Sequence, residues 1–152
     1  MLNYFSHKTI FLVLYFTFFQ YSSAQETRFF NKLDSSHRQN AVKIIFDEIE
    51  NGLSNGRTAS ISDYLSAQTY LSLANGVNGY YSSNQAYYIL DDFFKLYRVV
   101  IFKLQNIRGN VDSPYATGIY SFNYRGKKGT SRVFISLTKS GNNWKISQLT
   151  IN

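Results

Sequence analysis

The sequence predicts an α+β domain: helices packed on one face of a curved antiparallel sheet, with four long strands forming a C-terminal meander. Three observations lead there. Apolar residues recur at helical spacing twice before Arg98, over 42–53 and 86–97. From Arg98 onward the period changes to two, in four segments. Gly, Asn and the single Pro separate those segments, as turns between antiparallel strands require.

In chain order the first element is not part of that domain. Lys8 precedes an apolar run from Ile10 to Phe19, and Ser22-Ser23-Ala24 supplies small residues before Gln25. A basic start, a short apolar stretch and a small-x-small site make an export leader, and the run falls short of the roughly 20 apolar residues of a membrane span. Residues 1–24 are therefore expected to be cleaved, leaving a periplasmic or extracellular protein with no stable membrane span; retention as an anchor is the alternative. Residues 25–37 lack periodicity and read as a flexible lead-in to a single domain over 38–152.

Ser35 or Ser36 can cap the first helix, whose Val42, Ile45, Phe46, Ile49 and Leu53 form one apolar stripe ending at Asn55-Gly56. Ile44 falls on the opposite, charged face. A short second helix is expected from a Ser60 cap through Ile61, Tyr64 and Leu65, with Asp63 near its positive end. Thr69 to Leu73 alternates, and the turn at Asn75 to Gly79 leads to Tyr80-Tyr81, which predicts a hairpin. Ser82 and Gln85 have capping-box spacing ahead of a third helix with Ala86, Ile89, Leu90, Phe93 and Tyr97 on one face. The strands follow at about 98–107, 115–124, 130–139 and 144–151. Alternation puts Ala116, Gly118, Tyr120, Phe122 and Tyr124 on one face of the second strand, and in the third it separates Val133, Ile135 and Leu137 from Phe134 and Ser136. At least one face is aromatic, as core or as cavity wall.

Composition limits the chemistry. The chain has no cysteine, which excludes disulfides, thiol catalysis, cysteine-ligated zinc and lipid on an N-terminal cysteine. Its net charge is +7, and the asymmetry is internal: beyond Tyr97 stand nine bases and only one acid, Asp112. Such a surface attracts polyanions in a salt-dependent way. Lys103, Arg108, Arg125, Lys127, Lys128 and Arg132 form the basic set, interleaved with Tyr97, Phe102, Tyr115, Tyr124 and Phe134. That mixture occurs in single-strand nucleic-acid binders, but export argues against nucleic acid as partner.

Tyr80-Tyr81-Ser82 followed by Gln85-Ala86, Ile89-Leu90 and Asp92-Phe93-Phe94, the helix from Ala41 to Gly52 with Ile61, Tyr64 and Leu65, and the pair Arg132 to Leu137 and Trp144 to Leu149 together carry a resemblance. Over about 38–152 the chain resembles the nuclear-transport-factor-2-like (NTF2-like, cystatin-like) fold, and within it an uncharacterised domain-of-unknown-function family of small exported bacterial proteins. The resemblance implies a cone-shaped domain with a pocket between sheet and helices, and no reaction. The base-rich segment 98–108 departs from that pattern.

Catalytic signals are sparse. His37, the only histidine beyond the leader, belongs to the first turn of a helix, and Ser35 and Ser36 beside it fit capping better than a triad. Asp92 and Asp63 are the carboxylates to weigh as a base, with a tyrosine as proton donor, in an isomerase, dehydratase or hydrolase. No metal site or cofactor is expected. The leading expectation is a non-catalytic binding or interaction module, with Phe46, Tyr64, Tyr120, Phe122 and Phe134 lining an aromatic pocket or sheet face for an apolar or amphipathic ligand, a peptide or an envelope component, or joining a homodimer. The small pocket enzyme is the alternative.

Overall fold

The computed structural model describes residues 36–109 and 113–152. The expected leader, the lead-in up to residue 35 and Asp112 lie outside the described residues. The sheet and its packing belong to the compact unit Gln39–Asn152.

Helix α1 covers 36–54, and its stripe is core: Phe46, Ile49 and Leu53 are fully buried, whereas Ile44 is exposed, as its place among charged neighbours predicts. The expected short helix at Ser60 is instead a 3₁₀ segment, Thr58–Tyr64, entered from Arg57 without a side-chain cap. Ser60 lies inside it, and Leu65 already begins a strand.

Strand β1 (Leu65–Leu73) pairs with β2 (Asn78–Ser82) as the expected hairpin. Helix α2 (Ser83–Leu96) starts on a complete capping box: Ser82 Oγ accepts from Gln85 N–H, and Gln85 Oε1 accepts from Ser82 N–H at 3.0 Å. The meander is β3 (Tyr97–Arg108), β4 (Tyr115–Tyr124), β5 (Lys127–Ser140) and β6 (Asn143–Ile151). Between β4 and β5 the turn is tighter than the sequence suggests. Arg125 (φ 51°) and Gly126 (φ 82°) are both left-handed, as a two-residue hairpin turn requires, so β5 begins at Lys127 rather than near 130.

The six strands form one curved, open sheet in the order β2-β1-β6-β5-β4-β3. It corrects the all-antiparallel expectation at one place: β1 runs parallel to β6, with Leu71 opposite Leu149 and Leu73 opposite Ile151. The inner face meets the helices. Leu71, Tyr120, Ile135, Leu137, Ile146 and Leu149 are fully buried there with Phe46, Leu90 and Phe93, each apolar side chain contributing about 1.5–3 kcal/mol. Among the described residues no helix is long and apolar enough to cross a membrane.

Candidate functional site

The period-two pattern of β4 and β5 divides the aromatic residues between two environments. On the inner face Tyr120 is surrounded by rings: Phe122 at 5.3 Å, Phe94 at 5.8 Å, and Phe93 and Phe102 at 6.0 Å between centroids. It is fully buried, and its hydroxyl donates to Tyr97 O. Burial pushes the Tyr120 phenol well above its ordinary range. Tyr120 is a core residue with a satisfied polar tip.

On the outer face the register sets Thr117 opposite Phe134, Ile119 opposite Arg132 and Ser121 opposite Thr130. Thr117, Ile119, Thr130, Arg132 and Phe134, with Thr150 of β6, border an open groove of about 880 Å³. Phe134 is half-buried and stacks on Tyr115 at 5.5 Å. The groove therefore combines an apolar floor, Ile119 and Phe134, with hydroxyls and one guanidinium. It can hold an apolar or amphipathic group, but it brings no acid and base together.

A second groove, about 630 Å³, lies between α1 and the end of β3, with Phe46, Asp47, Glu50, Lys103, Leu104 and Arg108 among its walls. Here Glu50 acts structurally. It accepts from Lys103 Nζ at 2.6 Å and from the N–H of Leu104 at 2.7 Å, while Ser54 Oγ donates to Phe102 O at 2.7 Å. The hydrogen bond to Glu50 raises the Lys103 ammonium pKa. Helix α1 thus satisfies backbone groups along the middle of the β3 edge. Sequence spacing places Glu50 on a solvated helix face, and nothing in that spacing reveals a strand edge beside it.

The expected aromatic pocket is not assembled as one site. Phe46 is buried at the α1–β3 groove, Tyr120 is core, and Phe122 packs on Tyr120 and on Tyr97. Phe134 is on the opposite face, and Tyr64 is at the 3₁₀ segment, where its hydroxyl donates to Glu48. That bond, more than burial or the neighbouring charge of Glu48, pushes the Tyr64 pKa up to about 12.

The candidate carboxylates face water. The Asp92 side chain is 84% exposed and 4.0 Å from Lys95 Nζ; Asp63 is exposed, and its backbone carbonyl accepts from Lys145. Neither stands beside a tyrosine hydroxyl in a cavity described above. Among the described residues no group of three or more histidines and carboxylates is placed to hold a metal. The basic set is dispersed as well: Lys103 is paired with Glu50, Arg108 lines the α1–β3 groove, Arg132 lines the outer groove, and Arg125, Lys127 and Lys128 occupy the β4–β5 hairpin.

Comparison with known proteins adds family and fold. The family model described as Domain of unknown function (DUF4783) matches residues 46–152. Among solved structures the chain is similar to a DUF4783 family protein from Bacteroides uniformis, at 20% identity over 70% of this chain and 94% of that one, TM-score 0.63. It is similar to another from Bacteroides ovatus, at 20% identity over 68% and 90%, TM-score 0.61. An NTF2-like protein from Anabaena variabilis matches at 16% identity over 78% and 90%, TM-score 0.59. No curated protein matches.

Proposed function

The chain belongs to the DUF4783 family and has the NTF2-like fold, and from that premise we propose that it is an exported, non-catalytic binding module. Its binding surface is the outer sheet face, and the observation that carries this reading is the groove where Ile119 and Phe134 remain open among Thr117, Thr130, Arg132 and Thr150. An apolar floor with a few polar groups at fixed positions is the usual make-up of a small-molecule or peptide site. The exposure of Asp92 and Asp63, and the engagement of the Tyr64 and Tyr120 hydroxyls, support binding over acid–base chemistry, which needs a proton donor and acceptor at one reacting centre. The apolar leader at 10–19 supports export.

Native mass spectrometry of the protein purified from its own compartment tests this. The expected result is extra bound mass, from a ligand, a peptide or a second copy, that the double variant Ile119→Ser/Phe134→Ser loses while keeping its melting temperature within a few degrees. A bare monomer, indistinguishable from the variant, would refute the proposal.

A further inference from the structure

At one end of the molecule the last turn of α2, the start of β3 and the β4–β5 hairpin enclose a groove of about 490 Å³, walled by Lys95, Leu96, Arg98, Asn123, Arg125 and Gly126. The register sets Arg98 opposite Asn123 and Asn123 opposite Lys128, so both cations share a row on the outer face, while Lys127, opposite Tyr124, reaches the same end of the sheet from its other face. The acids in reach are Asp91 and Asp92, and Lys95 meets both, at 2.6 and 4.0 Å. Among the described residues no carboxylate pairs with Arg98, Arg125, Lys127 or Lys128.

The tip is held in place from the core. Phe93 stacks on Tyr97 at 4.7 Å, Tyr97 on Tyr124 at 4.7 Å, and the Arg125 guanidinium lies 5.2 Å from the centre of the Tyr124 ring. Arg125 does this from a left-handed conformation that Asn or Gly adopts more readily. The same stack engages Tyr97 with Phe93 and Tyr124, and Tyr124 with Tyr97 and Arg125, contacts that a nucleic-acid base would have to displace. On the same stretch of chain are exposed apolar side chains: Leu96 is 43% exposed, Val100 54% and Ile101 55%. A soluble acidic polymer offers nothing to those three residues, whereas a bilayer meets cations with headgroups and apolar side chains with acyl chains.

We infer that this end of the molecule, Arg98, Arg125, Lys127 and Lys128 with Leu96, Val100 and Ile101, docks on an anionic lipid surface. The test is co-sedimentation of the full chain with vesicles of phosphatidylcholine containing phosphatidylglycerol, against vesicles of phosphatidylcholine alone. The ratio of the two affinities is the readout, because an apolar segment elsewhere in the chain binds both. At low salt the ratio should be well above one, and Arg98→Gln/Lys128→Gln should lower it about twenty-five-fold, at about fivefold per cation. Leu96→Ser/Ile101→Ser should also weaken binding to the anionic vesicles. In an independent arm, Leu96→Trp made together with Trp144→Phe, which removes the native tryptophan, should shift its emission to the blue with anionic vesicles and not with neutral ones. A ratio near one, or an unshifted Leu96→Trp emission, would overturn the inference. So would binding that survives Leu96→Ser/Ile101→Ser and is competed away by alginate, which would identify a soluble acidic polymer instead.

Discussion

Tyr64 illustrates how one hydrogen bond creates a pH dependence. Its phenol donates to Glu48, which raises its pKa from 10.0 to about 12, so the folded protein keeps a proton that the unfolded chain releases. The stabilisation is fully present below about pH 10 and is lost as pH rises through about 12. The melting-temperature difference between wild type and Tyr64→Phe should shrink across that window; a constant difference would mean that the bond does not control the titration. Gly118 is a steric case. A Cβ there would fall on Lys103 O and within 2.9 Å of Leu104 Cα, both backbone atoms of the neighbouring strand. Gly118→Ala should cost about 3 kcal/mol, read as a lower urea midpoint, because β3 and β4 would have to separate.

Among the elements, α1 has two roles, since its apolar stripe enters the core while its Glu50 caps the β3 edge. Glu50→Ala should lower stability by about 1–2 kcal/mol in urea unfolding, from the lost charge-assisted bond to Leu104 N–H. Glu50→Gln, which keeps an acceptor, should lose less than half of that. The Lys103 pair itself adds little, because that ammonium is largely exposed. Equal losses in the two variants would show that the charge, and not the edge bond, matters. Local signals were readable at this scale: Ser82 and Gln85 announce α2, and Val42, Phe46, Ile49 and Leu53 announce the buried face of α1. Turn chemistry is less legible, because Arg125 occupies a left-handed position that usually signals itself with Asn or Gly, and the sequence predicts a five-residue connection where the structure has two residues. The site was half legible. Alternation separates Tyr120 from Phe134, but a ring looks the same in sequence whether helices cover it or water does, so sequence alone groups the two in one aromatic pocket. The role of Glu50 is not legible in the sequence because its partner is more than 50 residues away, beyond any periodicity.

For the molecule as a whole, the pairing of β1 with β6 was the feature that local pattern could not supply, since register between distant strands is fixed by packing. That pairing ties the sheet together. Within the sheet the β1–β2 hairpin joins β3, β4 and β5 through β6, which sits between Leu73 of β1 and Val133 of β5 at Ile151, while helix α2 packs on β1 and β3 alike. In chain order β6 is the latest of the six strands, so during synthesis no strand links the two parts of the sheet until residues 143–151 have appeared. A chain stopped before Asn143 should be cut rapidly by protease within β1 and β2, while the full chain resists; equal resistance would show that the hairpin is held by the helices alone. The same geometry makes the last-made strand the keystone of the sheet, the piece whose placement locks two previously separate edges together.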